Sequence, residues 1–156
     1  MWAPYLFGER TPHLDPDARA AFVGITASHT QGHFIRAVLE GVALSLRDTF
    51  TLFHELGVPV KAIRLGGGGA RGALWRQIQA DVYGHSVKLL EAEEGGAFGA
   101  ALLAGTGVGA WDSVEAACAA TVRVAETIEP KNGAVMDEAY KRYRRIYPAL
   151  REIARS

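Results

Sequence analysis

Apolar residues recur at helical spacing between positions 33 and 56: Ile35, Val38, Leu39, Val42, Leu46, Phe50 and Phe53. The pattern predicts one long amphipathic helix, stopped by Gly57 and Pro59. Ahead of it, residues 1–20 read as loop, with Pro4, Pro12 and Pro16 around a polar stretch at 8–13, and the apolar run at 21–26 reads as a short strand. Behind it come a strand at 61–65, four consecutive glycines, and a helix over 70–83 with Leu74, Trp75, Ile78 and Val82 as its buried stripe. Gly84 closes that helix, and 86–90 is the next strand. A helix over 96–104 presents Gly96, Ala97, Gly99, Ala100 and Ala101, small enough for a neighbouring backbone to approach closely. Asp112-Ser113-Val114-Glu115 has the form of a capping box opening a short helix, and 121–128 is extended or irregular. A last helix over 134–154 carries Met136, Tyr140, Tyr143, Tyr147 and Leu150 on one side as a packing face, with a kink or break at Pro148.

This alternation of strands and helices predicts an α/β fold with a largely parallel sheet. In such sheets ligands bind beyond the carboxyl ends of the strands, where the glycine run lies. Each glycine held in folded structure costs about 0.5–1 kcal/mol relative to alanine, so four cost about 2–4 kcal/mol. A side-chain-free turn opening a helix lets a ligand reach bare backbone N–H groups and the positive end of the helix dipole, an arrangement that suits phosphate. The competing reading is a tight strand-to-helix turn with no ligand.

Bulk properties narrow the partners. A chain of 156 residues is one domain by length, and 49% hydrophobic with 22% charged residues is ordinary for a soluble globular protein. Seventeen Lys and Arg balance seventeen Asp and Glu, so no global field favours nucleic acid or a membrane surface. Lys141, Arg142, Arg144 and Arg145 read as a solvated helix face. Cys118 is the sole cysteine, which excludes an intrachain disulfide and reads as a small core residue in a reducing compartment. No N-terminal signal pattern appears, and no apolar run approaches the ~18 residues of a membrane span, so a cytoplasmic location is expected. His29 and His33 stand four apart with no third ligand, so protein side chains are not expected to hold a metal.

The glycine run fits some phosphate-binding chemistries and not others. A Walker loop needs a lysine and a hydroxyl after its last glycine, whereas Gly72 is followed by Ala73 and Leu74. Gly67, Gly69 and Gly72 satisfy the G-x-G-x-x-G dinucleotide fingerprint, and Glu91, at the end of the next strand, stands where a ribose-binding acid belongs. Only three strand candidates are present, against about six in a full dinucleotide fold. A Rossmann-like, NAD-binding domain stays open as an alternative.

Five groups of residues occur in order along the chain. They are Pro4-Tyr5-Leu6-Phe7-Gly8-Glu9-Arg10-Thr11-Pro12-His13-Leu14-Asp15-Pro16; Phe22-Val23-Gly24-Ile25 followed by His33-Phe34 and Ala37-Val38-Leu39-Glu40-Gly41; Gly67-Gly68-Gly69-Ala70-Arg71 with Trp75-Arg76-Gln77 and Ala80-Asp81; Gly96-Ala97-Phe98-Gly99-Ala100-Ala101; and the spacing of Tyr140, Tyr143 and Tyr147. Over residues 4–150 this set resembles the C-terminal domain of the FGGY carbohydrate kinases. The resemblance implies part of an actin-like ATPase (ribonuclease H-like) fold, in which a glycine-rich strand-to-helix turn packs beside the adenosine and α-phosphate of a nucleotide.

It further implies a sugar kinase that uses ATP and Mg²⁺, with a pentulose as the expected sugar. Gly67, Gly68 and Gly69 then give backbone approach to the nucleotide, and Ala70 begins the helix beneath it. Arg71 lies either along the ribose or phosphate edge or in solvent. Ala73 takes the position where related glycerol kinases carry an asparagine near adenine. Glu9, Arg10 and His13 face the interdomain cleft or are held by local salt bridges. The family's catalytic base, sugar pocket and terminal-phosphate loop lie upstream, and Asp15, Asp17, Asp81 and Glu40 match none of them. Residues 1–156 are therefore expected to be the C-terminal, nucleotide-side portion of a kinase whose N-terminal sugar-binding domain is absent, inactive alone. The implied sheet order 3-2-1-4-5 leaves strands 1 and 2 missing between the 21–26 and 61–65 strands, and open edges there invite association, including a homo-oligomer. A stand-alone nucleotide-binding module is the other alternative.

Overall fold

A computed structural model describes residues 1–91 and 95–154. The chain runs β1 (Trp2–Ala3), β2 (Ala21–Phe22), α1 (Gln31–Glu55), β3 (Ile63–Leu65), α2 (Ala73–Tyr83), β4 (Val87–Leu90), α3 (Gly95–Gly107), α4 (Val114–Thr121), β5 (Val124–Ile128), α5 (Gly133–Tyr143) and α6 (Ile146–Ala154). β3 and β4 pair in parallel, joined through α2, and β5 adds to the far edge of β4 in antiparallel sense. β1 and β2 form a separate two-stranded antiparallel ribbon. Among the described residues nothing bridges β2 to β3, so the gap expected between those two strands is present.

α1 begins at Thr30, whose backbone N–H donates to His33 Nδ1 at 3.1 Å. His29 is occupied in the same way, its Nδ1 accepting from the Thr26 N–H at 2.9 Å. The apolar stripe that announced this helix is only in part its buried face: Leu39 and Phe50 pack against the core. Ile35, Val38, Leu46 and Phe53 are exposed, at 56, 36, 45 and 38%. The buried line is instead Gly41, Ala43, Leu44 and Asp48. At Gly41 the helix lies so close to β1 that a Cβ would strike the carbonyl oxygen of Trp2. α1 thus has two apolar sides, and the described residues cover only one of them.

Other expectations need correction. Residues 1–20 contain β1, and the 21–26 strand shortens to Ala21–Phe22. Leu74 is 52% exposed rather than part of the α2 stripe, while Ile78 and Val82 are buried. Ser113 alone caps α4, accepting from Ala116 N–H at 3.1 Å, and the third helical residue is Ala116, so no capping box forms. Gly105 is packed against the Trp111 ring, but Gly95, Gly96, Gly99 and Gly107 face open space. The helix over 134–154 breaks at Arg144 and Arg145, not at Pro148. Proline has no N–H to give the carbonyl four residues back, which is that of Arg144, so it sits without loss in the first turn of α6.

The three tyrosines of that region each find a hydroxyl partner. Tyr143 shares a buried hydrogen bond with Tyr5 at 2.9 Å, and Tyr147 donates to Asp15 Oδ2 at 2.8 Å. Tyr140 donates to Asp48 Oδ1 at 2.6 Å, and its pKa is pushed up to about 12, by burial and then by that bond. Burial raises the pKa of Asp48, only partly offset by Tyr140. Asp81, 2% exposed, behaves in the opposite way. It accepts from Lys131 N–H (2.6 Å), Asn132 N–H (3.1 Å), Asn132 Nδ2 (3.0 Å) and Gln77 Nε2 (2.9 Å), fastening the start of α5 to α2. Burial alone would raise its pKa, and these bonds together hold it below the usual carboxylate value.

Asp48 and Asp81 are expected to respond with opposite signs. Asp81→Asn presents amide hydrogens to four donors and should cost about 2–3 kcal/mol in denaturant unfolding at pH 7. The depressed folded pKa means that Asp81 stabilises above its unfolded value of about 3.9, and the benefit fades as pH falls through the folded value. Asp48 has a raised folded pKa, so its contribution is greatest below the unfolded value and is lost as pH rises through the folded one. Asp48→Asn should therefore cost less than about 1 kcal/mol at pH 7. Equal losses in the two variants would refute this assignment.

Candidate functional site

The carboxyl end of β3 delivers Leu65, largely buried, to an exposed run of four glycines. Gly67 turns the chain with φ +74°, a conformation side chains disfavour. Its carbonyl accepts from Ala70 N–H at 3.1 Å, closing a 3₁₀ turn over Gly68–Arg71. Ala70 is 5% exposed and plugs the turn into the core. Gly72, extended at φ −76° and ψ 112°, then caps α2, and its carbonyl accepts from Arg76 N–H at 3.0 Å. The expected continuous helix over 70–83 is therefore two pieces, and Ala70 belongs to the turn rather than to α2. Extended backbone at Gly72 cannot carry the helical ladder through.

The loop is bare on one flank and lined on the other. A Cβ built at Gly66, Gly67 or Gly68 meets no atom within 4 Å. At Gly69 it would lie 3.7 Å from Trp75 Nε1, and at Gly72 3.6 Å from Trp75 Cβ. The N-cap of α2 is a glycine, so no capping side chain covers the first turn of the helix. Backbone donors left at a helix start, beside space that no side chain enters, form an anion-binding geometry.

Gly67, Gly68, Gly69, Ala70, Arg71 and Ala73 all fall on the one segment that runs from the glycine turn through Gly72 into α2. Arg71 and Ala73 are exposed, Arg71 at the end of the 3₁₀ turn and Ala73 at the first residue of α2. Arg76 turns away instead, pairing with Glu126 on β5 at 2.6 Å. Trp75 is the residue that sequence periodicity alone misplaces. Its spacing assigns it wholly to the buried stripe, whereas its indole also flanks the loop. The signal was its position two residues after Ala73, within the first turn.

Glu9, His13, Asp15 and Asp17 lie in a second cluster, tied to α6 through Tyr147, while Glu40 stands apart on α1. Glu9 Oε2 accepts from His13 N–H at 2.8 Å, and the His13 ring stacks on Tyr147 with centroids 3.6 Å apart and planes 4° apart. Burial lowers the pKa of His13, against the pull of Glu9, Asp48 and Asp15. Asp17 N–H donates to Asp15 Oδ1 at 3.0 Å, and Glu40 pairs with Arg36 at 2.7 Å. Among the described residues no group of three or more His, Cys, Asp or Glu side chains is gathered to hold a metal ion. No described helix is long and apolar enough to cross a membrane.

The third strand departs from the Rossmann unit, whose βαβαβ half places its first three strands in parallel. β5 runs antiparallel to β4.

Comparison with known proteins agrees. Residues 1–108 match the FGGY family of carbohydrate kinases, C-terminal domain. The chain is 39% identical over 150 residues to a xylulose kinase of Staphylococcus epidermidis, covering 96% of this chain and 30% of that protein. Among solved structures it superposes on xylulose kinase from Rhodospirillum rubrum with a TM-score of 0.85 at 33% identity, covering 100% of this chain and 31% of that one. It superposes on Plasmodium falciparum glycerol kinase with ADP with a TM-score of 0.78 at 26% identity, covering 99% and 30%. The chain thus spans about 30% of the length of the curated relatives it matches. An open glycine turn after a parallel strand, an antiparallel third strand and this run of matches have one common explanation: the chain belongs to the FGGY family of carbohydrate kinases and carries its C-terminal domain.

Proposed function

We propose that this chain is the nucleotide-side portion of a sugar kinase that transfers a phosphoryl group from ATP to D-xylulose, giving D-xylulose 5-phosphate and ADP. The observation that carries the nucleotide part is the unobstructed space at Gly66, Gly67 and Gly68, where a Cβ meets nothing within 4 Å. Support for the sugar is the likeness to xylulose kinases. Gly67, Gly68 and Gly69 bring main-chain N–H groups to the nucleotide, and Ala70 anchors their turn without intruding. Arg71 stands at the ribose or phosphate edge. Ala73 offers no side-chain hydrogen bond to a base, so adenine is gripped by shape there. ATP supplies the transferable phosphoryl group when bound. Mg²⁺ would be held by the ATP phosphates and by carboxylates of the upstream portion, one carboxylate of which would accept the proton of the sugar hydroxyl. The protein works in the cytoplasm.

The uncovered stripe of α1 (Ile35, Val38, Leu46 and Phe53) is the seat of the upstream portion. A helix apolar on two sides is normally buried on both. The open edges of β2 and β3 face the same missing neighbour, so the isolated chain should self-associate.

Three outcomes are expected. A protein carrying this chain together with its upstream portion should release ADP in a D-xylulose-dependent coupled assay, with less turnover on D-ribulose or glycerol, while the isolated chain shows none. D-xylulose turnover by the chain alone would overturn the division of labour. Gly68→Ala, free of steric conflict in the loop, should leave the unfolding midpoint within error yet weaken ADP binding by at least about tenfold in calorimetry. Full ADP affinity in that variant would remove the main-chain contact. Ile35→Asp with Leu46→Asp should make the isolated chain more monomeric in sedimentation, and should block its association with a separately produced upstream portion.

A further inference from the structure

We infer that the indole N–H of Trp75 is a hydrogen-bond donor to the ribose–phosphate part of the nucleotide, a binding contact made by a side chain in a loop that otherwise binds through main chain. The inference rests on the nucleotide reading of the loop given above. Trp75 is half-buried, and its ring packs against the core cluster under α2. Its polar edge is turned the other way. Nε1 is the nearest atom to a Cβ built on Gly69, at 3.7 Å, and Cδ1 follows at 4.0 Å. The heteroatom edge of the ring therefore borders the bare loop, while the rest of the ring is anchored in the protein.

That N–H has no hydrogen-bond partner among the described residues. It is also absent from the sealed, unsatisfied polar atoms, which are Arg47 Nη1 and Arg76 Nε. An indole N–H is a donor only, and a half-buried tryptophan usually finds it an acceptor. Nε1 therefore reaches solvent, where water accepts from it until a ligand oxygen takes that place. Gly69 matters for the same reason: a side chain there would fill the gap between loop and indole. Trp75 thus gives the turn a fixed donor beside its mobile-free main-chain ones, held by a ring with only two rotatable bonds.

The test uses the protein with its upstream portion, labelled with ¹⁵N, and ADP as the probe. The indole resonance that disappears in Trp75→Phe identifies Trp75. In the parent, that proton should move downfield and exchange more slowly with solvent as ADP is added, whereas a purely structural ring would leave it in place. Trp75→Phe keeps an aromatic ring in the packing site and removes the donor, so the folded variant should bind ADP about tenfold more weakly in calorimetry, with only a modest drop in the unfolding midpoint from the smaller ring. An unmoved indole resonance in a parent that binds ADP overturns the inference, even if Trp75→Phe fails to fold. A folded Trp75→Phe that binds ADP within twofold of the parent overturns it equally. A parent that binds no ADP brings down the nucleotide reading first, and the indole contact with it.

Discussion

The close seating of α1 is the constraint on which the rest of this molecule depends. At Gly41 the helix is pressed on the Trp2 carbonyl, so β1 and its partner β2 are held on one side. Further along, Phe50 meets the edge of Tyr83 on α2 with centroids 4.8 Å apart, and Asp48 and Thr51 take the hydroxyl of Tyr140 from α5. Two sheets between which no strand pairing is described are thereby kept in one body by this helix, with the Tyr5–Tyr143 and Asp15–Tyr147 bonds adding a second tie. Any side chain at position 41 separates the ribbon from the helix, because the obstacle is backbone and cannot rotate away.

A second tie governs the site itself. α2 carries the glycine turn at its start and Asp81 near its end, and Asp81 accepts three bonds from Lys131 and Asn132, the residues that lead into α5. The turn is thus mounted on a helix fixed at its far end by charge-assisted bonds and at its middle by Ile78 and Val82. Glycine gives the loop freedom to approach a ligand, and the mounting removes the freedom to wander. Pre-organised donors of this kind are the usual way in which proteins hold phosphate without large entropic loss.

Much of this was legible in the chain. The long helix, the parallel pair at 61–65 and 86–90, the glycine turn between them and the family likeness all follow from residue pattern. The readings that failed did so for local reasons. The stripe Ile35, Val38, Leu46 and Phe53 has ideal helical spacing, but spacing does not say which of two apolar faces has its partner in the same chain. β1 is two residues long and rests on its contact with α1, a tertiary fact. β5 reads Val-Ala-Glu-Thr-Ile over 124–128, four of its five residues exposed, so periodicity had no buried face to detect. Pro148 drew the expected helix break toward itself, although the break belongs four residues earlier, where the carbonyl that proline cannot satisfy is found. Trp75 was hidden because one side chain serves both the core and the loop.

A grip built from main chain has an uneven relation to mutation. Every residue type except proline contributes the same amide, so other substitutions along 66–69 delete no donor; they add bulk in front of it and, at Gly67, force a side chain into a positive φ. Harm at these positions should scale with the volume introduced rather than with lost polarity or charge. Inheritance then polices what is put into the bend, not what is taken out, and drift is free everywhere that extra atoms point away from the opening.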